Sequence, residues 1–121
     1  MVERMSVTNI ILILVCVIAI SGGQLLFKRA GLELELAGTW LSWRVWLYSG
    51  VSFAVYAGAT LLWIHVLRVV PLIQAYPFMA LSFVIVPLSG AWIFKEQLGA
   101  AHLIGLLLII SGVVLIARNG Q

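Results

Sequence analysis

Residues 71–98 read PLIQAYPFMALSFVIVPLSGAWIFKEQL. The stretch is long enough to cross a bilayer, yet Pro77 and Pro87 interrupt it, and Gln74 and Tyr76 stand at its entrance. A proline removes a backbone donor and frees a carbonyl, which in hydrocarbon must be met by a neighbouring helix or by water. A spanning helix broken twice therefore faces protein or a cavity rather than lipid. Ala75, Ser82 and Ser89 recur at heptad spacing as a small, weakly polar face, and Phe, Leu, Ile and Val cover the rest. The stretch reads as the third of four spanning helices and as the lining of a path.

Composition places the whole chain in the membrane. Apolar residues make up 64% of it and charged residues 9%, with a mean hydropathy of +1.18, against roughly half and a quarter in soluble domains. Four spans of about 20 residues, each sized to a hydrocarbon core of about 30 Å, consume nearly all of the 121 residues. The expected architecture is all-α, a single domain and single repeat over 1–121, with spans at about 9–27, 45–67, 74–94 and 101–117. The formal charge of +3 is ordinary for helix ends at lipid headgroups and requires no nucleic acid. Cys16 is the one cysteine, so neither a disulfide nor a thiolate metal site can form within one chain, and no cofactor is expected.

The first span follows Arg4 and competes with a cleaved signal peptide. Its length, and Lys28 and Arg29 where a small-residue cleavage site would stand, favour a retained helix. Ser21, Gln24 and Lys28 fall at i, i+3 and i+7 on one side of it, while Gly22 and Gly23 allow close approach of another helix. That face is either a packing patch ending in a snorkelling lysine or a polar groove leading to a cation. Residues 31–44, GLELELAGTWLSWR, read as the longest loop, lying at the interface, with Trp40, Trp43, Trp46 and Tyr48 marking headgroup level. In the second span Gly50, Ala54 and Gly58 form a stripe suited to close helix packing, as Ala101, Gly105 and Gly112 do in the fourth. His65 reads as an interfacial or hydrogen-bonded residue before a proton relay, and His102 as solvated.

Charge gives almost no orientation. Arg4, Arg68 and Arg118 share one side of the membrane, and Lys28, Arg29, Arg44 and Lys95 share the other. Basic residues in short loops favour the cytoplasm, so this near tie implies either insertion both ways or orientation set by a partner.

The chain resembles four-helix members of the drug/metabolite transporter superfamily, near the small-multidrug-resistance and single-repeat EamA-type proteins. The resemblance spans essentially the full length. It rests on AISGGQLLFKRA closing the first span, VPLIQAYPFMALSFV in the third, the FKE after it, and GLLLIISGVVLI in the last. In particular the GQ, the AYP entrance and the helix-end glutamate are similar to subunits of the bacterial undecaprenyl-phosphate-aminoarabinose flippase. Multidrug-resistance members carry an embedded glutamate after the alanine of the first motif. Here that position is Ile20, and no Asp or Glu falls within the expected spans, so proton-coupled cation antiport lacks its carrier.

The resemblance implies a flippase subunit of the bacterial inner membrane acting on a polyprenyl-phosphate-linked sugar, with no enzymatic step. A buried CH₂ contributes about 0.8 kcal/mol, so the tail stays in lipid and only the headgroup crosses. Ser21, Gln24, Gln74 and Tyr76 are the candidate groove lining. Lys28 and Arg29 are the candidate phosphate ligands, with Lys95 assisting, and Glu96 meets the sugar or pairs with Lys28. A chain of one repeat implies a homodimer or a heterodimer with a second small four-helix subunit. Export of small polar or cationic metabolites, and a non-transporting assembly role, are the alternatives.

Overall fold

A computed structural model describes residues 6–119, apart from the side chain of Asn119; Arg4 lies outside the described residues. Four helices are long and apolar enough to cross a membrane, and the described residues contain no strand. Helix α1 spans Val7–Ala37, α2 Trp43–Leu67, α3 Leu72–Ile93 and α4 Ala100–Asn119. They pack mainly in the order α2, α1, α3, α4. The bundle is thus an open row, with α1 and α3 inside and α2 and α4 at its edges.

The first helix corrects the expected loop at 31–44. Ser6 caps its start by accepting the Asn9 N–H at 3.2 Å, and it runs for 31 residues, about 46 Å at 1.5 Å per residue. Leu, Glu and Ala in 32–37 are good helix formers, and Glu33 lies one turn after Arg29, where an i,i+4 pair supports the helix. The stop is Gly38, left-handed at φ 70°, whose N–H returns to the Leu34 carbonyl at 2.8 Å. Glycine takes that conformation without a Cβ clash.

Pro77 and Pro87 act differently within α3. One α turn, Leu72–Ala75, gives way to a 3₁₀ stretch over Tyr76–Leu81, then α geometry resumes over Ser82–Ile93 with Pro87 inside it. Pro77 cannot donate to the carbonyl four residues back, and the tighter i→i+3 winding follows. Both prolines line cavities.

Ile13, Val17, Val66, Val70 and Ala75 form the buried core, where α1, the end of α2 and the start of α3 meet. Further along, Gly23 lets α1 and α2 dock. A Cβ there would lie 2.6 Å from the Tyr56 ring, and the Gly23 carbonyl accepts the Ser52 hydroxyl at 2.8 Å. The expected stripe of Gly50, Ala54 and Gly58 plays no part in this contact: all three are exposed, and α2 instead buries Val45, Ser52, Ala59 and Val66. On α4 the buried residues are Leu106 and Val113, and the added Cβ at Gly105 or Gly112 would meet nothing within 4 Å. Small residues pack helices only on faces that another helix reaches.

Candidate functional site

Because the spans alternate in direction, the end of α1, the start of α2, the end of α3 and the start of α4 share one side of the membrane. Lys28 Nζ lies 3.2 Å from Glu96 Oε2 there, tying α1 to the segment after α3. Two local features bring Glu96 back to α1. Lys95 adopts a left-handed φ of 55° and turns the chain, a conformation that costs a non-glycine residue about 1–2 kcal/mol. Gly90 leaves room for the returning carboxylate, since a Cβ there would lie 3.0 Å from Glu96 Oε1.

A cavity of about 490 Å³ opens between α1 and α3 at this point, walled by Gln24, Phe27, Lys28, Pro87, Gly90 and Glu96 among others. Gln24 Nε2 donates to the Tyr56 hydroxyl, and the Tyr56 ring lies 5.5 Å from that of Phe27. The cavity therefore offers one cation, one anion and an amide, the last bonded to the Tyr56 phenol, on otherwise apolar walls. Such a set of donors can replace water around a phosphate, and the carboxylate can hold the cation while no phosphate is present.

Arg29, next in sequence, points elsewhere, since successive residues on a helix lie about 100° apart. Its guanidinium sits 5.4 Å from the Tyr48 ring centroid and 3.8 Å from Glu33, which Arg44 also approaches at 3.8 Å. Glu33 is only 7% exposed. This triad braces α1 against the start of α2 beyond Lys28.

The remaining sequence candidates separate. Ser21 is buried and donates to the Val17 carbonyl at 2.7 Å, so its hydroxyl is engaged within its own helix. Lys95 is exposed and makes no ion pair among the described residues. Gln74 and Tyr76 lie at the opposite end of the row, beside the Ile13–Val17 core; Gln74 is 6% exposed and Tyr76 63%. From Val17 to Lys28 along α1 is about 16 Å. Tyr76 instead lines a second cavity, of about 630 Å³, with Trp63, Leu72, Ile73 and Pro77. His65 is held locally, its carbonyl accepting the Arg68 Nε–H at 3.2 Å. Tyr56 was not among the sequence candidates; its pairing with Gln24 depends on Gly23, four residues from Phe27 on the docking face.

Four apolar spans in an open row, with a charged cavity between α1 and α3 at one end, define a small multi-pass membrane protein of the transporter type. Three relatives are each named "probable 4-amino-4-deoxy-L-arabinose-phosphoundecaprenol flippase subunit ArnE". The one from Sodalis glossinidius is 41% identical over 98 residues, 80% of this chain and 86% of the relative. That from Enterobacter sp. (strain 638) is 38% identical over 95 residues, covering 78% and 83%. That from Erwinia tasmaniensis is 35% identical over 107 residues, covering 88% and 94%. The chain belongs to this family of flippase subunits and is a multi-pass protein of the bacterial inner membrane. No protein-family profile matches it, and no solved structure does.

Proposed function

We propose that this chain is one subunit of a flippase that carries a polyprenyl-phosphate-linked aminosugar across the membrane, the headgroup moving along the α1–α3 groove while the tail stays in lipid. The observation that carries the reading is the Lys28–Glu96 pair in the cavity with Gln24, in a chain whose relatives are named for such a substrate. Lys28 takes the phosphate and Glu96 is displaced as its counter-charge. Gln24 donates to a phosphate oxygen. Arg29 and Arg44, bound to Glu33, raise the positive potential nearby, and Lys95 adds to it from the exposed turn. Gln74 and Tyr76 serve the headgroup at the opposite face, where the Tyr76 cavity lies. The stripes of Gly50, Ala54 and Gly58 on α2 and of Ala101, Gly105 and Gly112 on α4, which form no close helix seam among the described residues, suit a second small subunit that closes the open row.

Mass spectrometry of lipids co-purifying from the native membrane tests this. Wild type is expected to retain a polyprenyl-phosphate sugar, and Lys28→Ala to lose it at equal protein yield. Retention of bulk phospholipid alone, unchanged by the substitution, would refute the assignment.

A further inference from the structure

Past Lys28, α1 continues for nine residues to Ala37, about 13 Å, and with the start of α2 it encloses a cavity of about 300 Å³ walled by Phe27, Gly31, Trp40, Trp46, Ser49 and Phe53 among others. Phe27 also lines the Lys28–Glu96 cavity, so the two cavities meet at this residue. On α1 the charged cavity is lined between Gln24 and Lys28 and the aromatic one between Phe27 and Leu34. The aromatic cavity is therefore about 5–7 Å further from the membrane centre. Its walls are held in place: the Trp46 indole N–H donates to the Trp40 carbonyl, their rings lie 6.3 Å apart, and Phe27 meets Phe53 edge-on at 5.5 Å.

We infer that this aromatic cavity holds the sugar ring of the lipid-linked substrate while the phosphate lies at Lys28, an assignment that rests on the flippase reading. Depth decides between the two ends of such a lipid. The polyprenyl tail leads from the phosphate into hydrocarbon, and drawing it outward would expose CH₂ groups worth about 0.8 kcal/mol each. Only the group on the far side of the phosphate reaches outward by one helical turn. A pyranose has apolar C–H faces and a polar rim, which suits aromatic walls and one Ser49 hydroxyl. An ammonium on the ring gains further from an indole face. The volume lies at the lower limit of small-molecule sites, roughly 300–1,000 Å³, enough for one ring and too small for an oligosaccharide.

The test measures binding of undecaprenyl phosphate and of its 4-amino-4-deoxyarabinosyl form to the protein in nanodiscs, purified with any subunit it retains. Gly31→Leu fills the cavity from a position whose added Cβ meets nothing within 4 Å, and Trp46→Leu removes a wall. Each is expected to weaken binding of the glycosylated lipid about tenfold and to leave the plain phosphate within about twofold of wild type. Equal losses for both lipids, or no loss for either, would overturn the site. Lys28→Ala is expected to weaken both. Wild type binding neither lipid better than phosphatidylglycerol would refute the flippase reading itself, and the sugar site with it.

Discussion

At the end where α1 begins, Ile13 and Val17 pack against Val66, Val70 and Ala75 with no charge among them. At the end where α1 finishes, Glu33 lies between Arg29 and Arg44, and Lys28 meets Glu96 across the groove. Lipid gives apolar helices no drive to associate, so the first end depends on close fit and resists rearrangement. Contacts at the second end join groups that, Glu33 apart, are about half exposed; such pairs contribute about 0–1 kcal/mol and exchange partners easily. A transport subunit needs both, a fixed end to hold the row together and a yielding end to admit a headgroup.

That contrast is open to attack at its strongest point first. Ile13→Ala leaves a void in the fully buried core and is expected to cost roughly 2–5 kcal/mol, read by reversible unfolding in mixed micelles through helical circular dichroism. A loss below about 1 kcal/mol would mean that this end is packed no more tightly than the other. At the charged end, Glu33→Gln is expected to cost only about 1 kcal/mol, because both guanidiniums are half in water. A loss as large as that of Ile13→Ala would make the triad a structural anchor. Lys95→Gly should act in the opposite sense. Relief of the left-handed strain outweighs the added chain entropy, for a net gain of about 0.5 kcal/mol. Because the turn is kept while the charge is removed, unchanged lipid binding in this variant would also show that the Lys95 charge takes no part in holding the lipid.

The four spans were legible in the sequence because length and apolarity suffice in a membrane, and the observed bounds of α2 and α4 lie within two residues of the expected ones. The continuation of α1 was missed for an identifiable reason. The Leu–Glu alternation of 32–36 looks interfacial if read alone, whereas the i,i+4 relation of Arg29 to Glu33 and the glycine at 38 together spell a helix and its stop. Of the candidate site, Gln24, Lys28 and Glu96 come together around one cavity. Gln74 and Tyr76 do not join them, and counting span directions would have shown it: they enter α3 on the side from which α1 departs. The left-handed Lys95 had no signal in the sequence, since a lysine there is chosen against its own backbone preference.

The Lys28–Glu96 contact also bears on electrical work. Moving one elementary charge against a potential of 100 mV takes about 2.3 kcal/mol, enough to slow the return of an empty carrier with a bare lysine by roughly 50-fold. Joined at 3.2 Å, the two side chains sum to zero. A groove that reorients with this pair intact does so without drawing on the membrane voltage, whichever way the chain is inserted.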